Sequence, residues 1–416
     1  MTQSLDRSRH LTRTAAPAAL AGAVCLLLLI LCAFYEPGLG LHWNPTLELR
    51  SYLYSWLFWL GISLGSMGVV MMHHLLGGGW GFLIRRFGES AGWLMPVLVL
   101  LFIPIILGVH WLYPWAQSDV LANDAVLRHK AHAFLNWPAW SIRAVIYLAV
   151  FTIMGWRLRA GSFAEDRNPS ETLQARFRRF SAGGEVVYVV VMTLAGIDWI
   201  MSREPHWYST IFGFIVVISQ ALSALCVLTI VVWLFADRDP LKSVIHPNYL
   251  NDLGNVILCF VVLWAYLSFA QFLVIWLGNS QDEITWYIGR TTGGWRAVGG
   301  ALILLHFLVP FILLLQRPMK RKLDRLAAVA AFLLVMRAVD VAYWVLPTGV
   351  RPANHGAFHA WYVIVVTVLA FVAVSGICIA AFAWLTERTP LLPVGAHVPD
   401  FKDYGEGPQP TPTAVP

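Results

Sequence analysis

Long apolar runs recur along the whole chain at nearly even spacing, separated by short polar connections. A helix that crosses a bilayer needs ~20 mainly apolar residues, and these runs are of that length. We therefore predict an all-α polytopic membrane protein with about ten transmembrane helices. The predicted spans are 15–34, 51–76, 91–111, 139–156, 183–201, 209–235, 251–277, 297–315, 326–346 and 359–385.

The first apolar run resembles a secretory signal peptide, because Arg7, Arg9 and Arg13 precede it. It is long, however, and the sequence Tyr35-Glu36-Pro37 follows it where a cleavage site would have small residues. We therefore expect this run to be retained as the first transmembrane helix.

Spans two to five and six to nine form two consecutive sets of four with matching directions. The fourth span of each set carries an acid near the same side, Asp198 or Asp340, and a histidine follows each acid, His206 or His355. This pattern is typical of a duplicated four-helix bundle, although no residue-by-residue repeat accompanies it. The predicted divisions are a first helix with its flanks (1–50), two four-helix bundles (51–201 and 202–346), a loop with the tenth helix (347–385) and a tail rich in Pro and Gly (386–416).

Lysine and arginine are concentrated in alternate connections, chiefly between 157 and 179 and between 317 and 325. Cytoplasmic loops of membrane proteins carry such an excess. The sequence thus predicts that both termini are cytoplasmic and that the Asp198 side faces outward.

Composition supports the membrane assignment and narrows the chemistry. Hydrophobic residues make up 58% of the chain and charged residues 12%, so the net charge of +6 reflects the basic connections and does not indicate a nucleic-acid partner. The five cysteines lie inside apolar runs, without the clustered spacing of zinc, iron–sulfur or covalent haem motifs. We expect packing cysteines, no disulfide framework and no metal ligands. These cysteines are Cys25, Cys32, Cys226, Cys259 and Cys378.

The segment 198–213 is the strongest candidate for a functional site. Asp198 lies inside an apolar helix, where a carboxylate costs about 2.5 to 3.5 kcal/mol on insertion scales. A polar link follows, and its His206, Trp207 and Tyr208 sit at the predicted membrane surface. Such a carboxylate requires a partner, a water-filled cavity or a proton.

Arg337 and Asp340 are three residues apart in the ninth span, so they share one helical face. One interpretation is a buried structural ion pair. The other is a proton-accepting or quinone-binding pair, since ionisable residues within spans commonly mark such sites.

Glu185, Asp252 and His306 are candidates for a proton route through the bundles. Glu185 lies 13 residues before Asp198 in the fifth span, about 20 Å along a helix. His306 lies near the middle of the eighth span and is either a relay or a histidine with a single backbone hydrogen bond. Haem b would need two histidines facing each other across a bundle, and the sequence fixes no such pair.

Two further groups have a structural and a functional interpretation. The many Trp and Tyr residues near span ends are typical of interfacial belts, but flat rings such as Trp207 and Tyr208 also suit a ring-shaped ligand arriving from lipid. The small residues of the second span favour close helix packing. They are Gly61, Ser63, Gly65, Ser66 and Gly68.

Three long motifs carry a resemblance to a known family. They are the His-His-Leu-Leu-Gly-Gly-Gly-Trp-Gly-Phe-Leu-Ile-Arg-Arg stretch (73–86), the segment 198–213 and the stretch 263–279, which is followed by Trp286-Tyr287 and Arg290-Thr-Thr-Gly-Gly-Trp. Over roughly residues 50 to 385 the chain resembles the NrfD-like (polysulfide reductase membrane subunit) family. Within it, the chain is similar to the shorter quinone-binding-type membrane subunit of alternative complex III, a quinol:cytochrome c oxidoreductase.

The resemblance implies partners and cofactors. It implies two four-helix bundles flanked by the first and last helices, beside a paralogous NrfD-like membrane subunit and small membrane subunits. It places iron–sulfur clusters and haem on partners, namely an iron–sulfur/molybdopterin-enzyme-like subunit and multihaem and monohaem cytochrome c subunits. This chain would then contact the lipid and quinone pool and hold no covalent cofactor.

Quinol oxidation releases two protons, so each hydroxyl needs a carboxylate or histidine within hydrogen-bond reach. The candidates for this purpose on the outer side are Asp198, His206, Arg337, Asp340 and His355. The sequence leaves open whether Asp198 and Asp340 face one cavity or two. Three functions remain open: a quinol-oxidising subunit, a proton-conducting subunit without its own quinone, and a structural scaffold. A secondary transporter is a fourth, disfavoured because the central spans show no breaks.

Overall fold

The computed structural model describes residues 3–36, 40–41, 43–347 and 360–393, and this part of the chain is almost wholly helical. Ten helical segments among these residues are long and apolar enough to cross a membrane. The prediction of an all-α chain with about ten spans is confirmed to this extent, and the protein is a multi-pass membrane protein.

The helices are, in chain order, α1 (Gln3–Cys32), α2 (Thr46–Leu76), α3 (Gly79–Gly92), α4 (Met95–Leu100), α5 (Ile103–Leu107), α6 (Val109–Leu112), α7 (Ser118–Asn123), α8 (Ala125–Ala133), α9 (Trp137–Arg167), α10 (Glu171–Trp199), α11 (Phe212–Leu234), α12 (Leu241–Val244), α13 (Pro247–Gly278), α14 (Gln281–Thr291), α15 (Gly294–Ala301), α16 (Val309–Leu315), α17 (Arg317–Lys320), α18 (Leu323–Val345) and α19 (Ala360–Glu387). Short 3₁₀ turns lie at Pro114–Ala116 and Met201–Arg203, and a π-helical segment lies at Leu302–Leu308. Two short strands, β1 (Tyr35–Glu36) and β2 (Gly40–Leu41), pair antiparallel after α1.

The fourth and fifth spans are longer than the apolar pattern predicts. They were expected at 139–156 and 183–201, but α9 continues to Arg167 and α10 begins at Glu171. Side-chain oxygens of Asn136 and Ser170 accept hydrogen bonds from the first-turn amides of Ala139 and Leu173. These N-caps start the helices in polar sequence, which hydrophobicity alone does not register.

The third span begins earlier than predicted and is broken. It runs from Gly79 to Leu107 as α3, α4 and α5, whereas 91–111 was expected. Pro96 and Pro104 lie in the first turns of α4 and α5, where proline is tolerated because those amides have no intrahelical partner.

This early start corrects the expectation that Arg85 and Arg86 lie in a loop. Both are buried in α3, where Arg85 pairs with Glu89 and Glu165, and Arg86 pairs with Glu89 and Asp166. Buried charges persist in a helix when they are paired and hydrogen-bonded in this way.

The long helices pack side by side in a layer, and α2 lies at its centre. Helix α2 contacts α3, α9, α10, α11, α18 and α19. The predicted role of its small residues is confirmed at Gly65, where an added Cβ would lie 2.0 Å from the carbonyl oxygen of Gln220 in α11. At Gly68 an added Cβ would lie 2.9 Å from the ring of Tyr188 in α10. Close approach at these glycines joins α2 to the helices on either side.

The eighth span contains the π-helical segment between α15 and α16. Its pattern is visible where the amide of Val309 bonds to the carbonyl of Leu304, five residues back. Pro310 explains the change of pitch, because it has no N–H for the carbonyl of His306 and its ring crowds that carbonyl.

The ends of α10 and α18 meet on one face of the helix layer, which we call the rim face. Arg203, just after α10, donates a hydrogen bond to the carbonyl of Val345 at the end of α18. Asp198 and Asp340 therefore lie toward the same face, as predicted. His355 and most of the predicted tail lie outside the described residues.

Candidate functional site

A cavity of about 500 Å³ lies near the rim face, between α11, α13, α14, α15, the π-helical segment and α18. Its size is typical of a small-molecule site. The lining comprises Trp207, Phe212, Ile215, Trp264, Ala265, Ser268, Phe269, Gln271, Phe272, Trp286, Tyr287, Arg290, Thr291, Arg296, Gly299, Gly300, Leu302, Ile303, Phe307, Asp340, Tyr343 and Trp344.

The cavity walls are mainly aromatic and aliphatic. Phe269 and Phe272 on α13 and Ile303 on the π-helical segment belong to the lining and are also exposed on the outer surface of the helices. These residues lie on helices long and apolar enough to cross a membrane, so the cavity reaches the apolar outer surface of the spans. An opening of this kind suits an apolar molecule.

Asp340 supplies a carboxylate to the cavity wall. Its Oδ2 accepts hydrogen bonds from the guanidinium of Arg337 and, at 3.1 Å, from the indole N–H of Trp264. Arg337 also donates to the hydroxyl of Ser223 at 3.2 Å. Both hydrogen bonds to Asp340 end on Oδ2, which leaves Oδ1 for a group in the cavity.

Further polar groups line the cavity at separate points. The hydroxyl of Ser209 donates to the carbonyl oxygen of the Gln271 side chain, so the Gln271 amide N–H₂ is available to a ligand. The phenol groups of Tyr287 and Tyr343 also belong to the lining. In a mainly apolar cavity, a few polar groups of this kind fix the orientation of an uncharged ligand.

Arg290 closes the cavity at the rim face. Its guanidinium is fully buried and donates to the backbone carbonyls of Trp286, Tyr343 and Trp344 at 2.8–2.9 Å and to Glu204 Oε1 at 2.9 Å. These bonds tie α14 to the end of α18 and to the link after α10. Arg290 therefore fixes the rim-face end of the cavity, and each of its three side-chain nitrogens donates at least one hydrogen bond in doing so.

Trp207 belongs to the same end of the cavity. Its ring stacks on Trp286 with centroids 4.0 Å apart and planes 14° apart, and Arg290 lies 3.2 Å from the Trp286 ring centroid. The sequence predicts that Trp207 and Tyr208 both suit a ring-shaped ligand. Trp207 lines the cavity, whereas Tyr208 is exposed and is not among the lining residues.

Burial sets the electrostatics of this end of the cavity. It raises the pKa of Glu204 above its usual value, and the neighbouring Arg290 offsets part of that rise. The same burial lowers the pKa of Arg290 and raises that of the Tyr287 phenol. Each group is thereby held closer to its neutral form than in water.

Asp198 lies in a different environment from Asp340. Its two oxygens accept bonds from Nε and Nη2 of Arg143, both at 2.7 Å, and Oδ2 also accepts the hydroxyl of Tyr147 at 2.9 Å. Asp198 is fully buried and is not among the lining residues. Asp340 lines the cavity and Asp198 does not, and Arg143 on α9 binds both carboxylate oxygens of Asp198.

His206 lies apart from the cavity as well. Its Nε2 is 2.6 Å from Oδ2 of Asp124, and this half-buried pair lies beside α8. The pKa of Asp124 is lowered, chiefly by its hydrogen bond from the Leu127 amide and also by His206. His206 thus fastens the link after α10 to the start of α8.

The three candidates for a proton route occupy separate places. Glu185 is half-buried on α10 and faces Gly68 of α2, and Asp252 is half-buried in the second turn of α13. His306 is fully buried, and its ring meets Trp264 edge-on with centroids 4.1 Å apart. Only His306 of these three is thereby next to a cavity residue.

No group of three or more metal-ligating side chains occurs among residues 3–36, 40–41, 43–347 and 360–393. All five cysteines are free thiols, and Cys226 and Cys378 are buried in the packing.

Sequence reasoning missed several residues of the site. Gln271, Trp286 and Arg290 all lie in the motifs that carry the family resemblance, and that signal could have selected them. Arg143 falls within the predicted span 139–156, and the sequence does not indicate its partner, which is 55 residues away.

In comparisons with known proteins, no family model matches the sequence, and no curated protein matches it.

Proposed function

We propose that the chain is a quinol-binding membrane subunit of a respiratory quinol:cytochrome c oxidoreductase of the alternative complex III type. The observation that carries the proposal is the cavity: it is mainly apolar, reaches the lipid-facing surface between α13 and the π-helical segment, and has the Asp340 carboxylate in its wall. A quinol ring with an isoprenoid tail requires access from the lipid, walls of aromatic side chains and a buried acid.

Asp340 is the proton acceptor in this proposal. A quinol loses two protons and two electrons when it becomes a quinone. One hydroxyl lies against Oδ1 of Asp340 and gives up its proton there, while Gln271 or Tyr287 holds the opposite oxygen. The electrons pass to an iron–sulfur cluster or c-type haem on a partner subunit. Arg337 stabilises the carboxylate before the reaction.

The family resemblance supplies the setting. The described contacts are compatible with two groups of four spans each. Helices α2 to α10 form spans two to five, helices α11 to α18 form spans six to nine, and α1 and α19 pair beside them. We place the rim face on the extracytoplasmic side of a bacterial inner membrane and both termini in the cytoplasm. On that side the partners are the iron–sulfur/molybdopterin-enzyme-like and cytochrome c subunits, and the paralogous NrfD-like subunit lies beside the chain in the bilayer.

Photolabelling of the purified complex with an azido-ubiquinone analogue tests the proposal. We expect label on peptides from α13 and α14, and excess decylubiquinone should compete it away. Gly300→Trp fills the cavity from a position where an added Cβ meets nothing within 4 Å, so it should abolish this label.

Gly183→Trp is the matched control, because Gly183 is equally open and lies on the outer surface of α10. Competed label on the Gly300→Trp protein equal to that on the unmodified protein would show that quinone does not bind in this cavity.

A further inference from the structure

His306 is a buried histidine without hydrogen bonds. Its side chain is fully buried, and neither Nδ1 nor Nε2 has a hydrogen-bond partner among the described residues. A buried polar group left without partners lowers the stability of the fold. The chain retains one here, in the middle of a span.

The backbone around His306 is also unusual. His306 lies within the π-helical segment Leu302–Leu308. π turns are rare in proteins, and many of those that occur lie at functional sites. Leu302, Ile303 and Phe307 of the same segment line the cavity. The segment therefore places the imidazole directly behind the cavity wall.

Trp264 separates His306 from the cavity. One part of its indole, the N–H, holds Asp340 Oδ2 at 3.1 Å, and its ring covers the imidazole edge-on. An ionised Asp340 holds this indole firmly, because hydrogen bonds to charged acceptors are the stronger ones. When Asp340 accepts a proton, that bond weakens, because the acceptor is then neutral.

We infer that His306 is the second proton acceptor of the cavity and that Trp264 is the gate in front of it. The inference rests on the proposed quinol site. The first quinol proton goes to Oδ1 of Asp340, Trp264 releases, and the second O–H bond breaks with its proton going to an imidazole nitrogen. An iron–sulfur cluster or haem on a partner subunit would take up both electrons, so charge and protons balance.

The test uses His306→Leu and His306→Gln in the purified complex, with quinol:cytochrome c turnover, azidoquinone labelling and thermal unfolding measured together. We expect kcat to fall by about 10²-fold, the usual contribution of a positioned proton acceptor, while labelling and KM stay unchanged. His306→Leu should also unfold at a higher temperature than the unmodified protein, because it removes an unsatisfied polar group.

Leu314→Met is the matched control, since Leu314 is fully buried two turns further along the same span. It should change neither kcat nor labelling. Trp264→Phe keeps the ring over His306 but loses the bond to Asp340, and it should lower kcat less than His306→Leu does.

The outcomes separate the two proposals. Labelled, assembled His306 variants that turn over at the unmodified rate overturn the role of His306 and leave the quinol site standing. A fall in kcat with a lower unfolding temperature in both variants makes His306 a packing residue and also overturns the inference. Absence of competed label in the unmodified complex overturns the quinol site itself.

Discussion

The two acids near the rim face, Asp198 and Asp340, occupy equivalent places in the predicted duplication but different environments. Asp198 has both oxygens bonded by Arg143 and a third bond from Tyr147. Both hydrogen bonds to Asp340 end on Oδ2, and Asp340 lines a cavity that reaches the outer surface of the spans. An acid whose oxygens are all taken stabilises the fold, whereas one with a free oxygen beside a cavity is able to exchange a proton with a ligand.

The largest expected effect is on stability, at Asp198. Asp198→Asn leaves the guanidinium of Arg143 without its counter-charge, and we expect a loss of about 3 kcal/mol in the free energy of unfolding. The double variant Asp198→Asn/Arg143→Gln should recover most of this loss and show normal quinol turnover. Thermal unfolding and turnover of the purified complex measure both. A slow but stable double variant would give Asp198 a part in the reaction.

Asp340→Asn should affect turnover in a way that Asp198→Asn does not. We expect kcat to fall by about 10²-fold, because the proton acceptor is gone. Asp340→Asn also leaves the buried guanidinium of Arg337 without its counter-charge, which lowers stability. The double variant Arg337→Gln/Asp340→Asn removes that charge too, so it should regain stability while turnover stays low. Recovery of turnover in this double variant would make the Arg337–Asp340 pair a purely structural one.

The contact between the two groups of helices gives a third, smaller effect. Gly65→Ala brings a Cβ to within 2.0 Å of the Gln220 carbonyl oxygen unless α2 and α11 separate, and we expect a loss of about 1 to 3 kcal/mol. Gly183→Ala is the control, since no atom lies within 4 Å of its added Cβ. Equal unfolding temperatures for the two variants would contradict close packing at Gly65.

Glu204 predicts a modest dependence of stability on pH. Its pKa is raised in the folded protein, so its protonated form favours folding below the usual value of 4.5. That contribution is lost as the pH rises from 4.5 through the raised pKa. The unfolding temperature of Glu204→Gln should therefore fall less over this range than that of the unmodified protein. Parallel pH curves for the two proteins would refute the assignment.

The smallest effect is expected at His206. The His206–Asp124 pair is open to solvent on one side, with 42% and 26% of the two side chains exposed, and ion pairs in contact with water contribute less than about 1 kcal/mol. His206→Gln should change the unfolding temperature only slightly and leave turnover unchanged. A large fall in turnover would return His206 to the catalytic set in which the sequence placed it.

The sequence predicts features that depend on local spacing. The ten spans follow from runs of apolar residues, and the Arg337–Asp340 pair follows from a separation of three on one helix. The roles of the two acids do not follow, because they depend on which helix faces which. Arg143 reaches Asp198 from another span, and nothing in the spacing indicates it.

The same reasoning explains the other differences. Arg85 and Arg86 look like loop charges until their partners Glu165 and Asp166 are brought beside them from α9. The π-helical segment arises from the position of Pro310 relative to His306, a detail that hydrophobic periodicity does not contain.

The pairing of α1 with α19 has a consequence for biosynthesis. Gly22 and Gly376 bring these two helices into close contact, while α1 has few contacts with α2. Roughly 330 residues separate the end of α1 from the start of α19, which is about 15 to 65 s of translation. During that interval α1 lacks the helix that it contacts most. Completion of the last helix is therefore the step at which the first one finds its place.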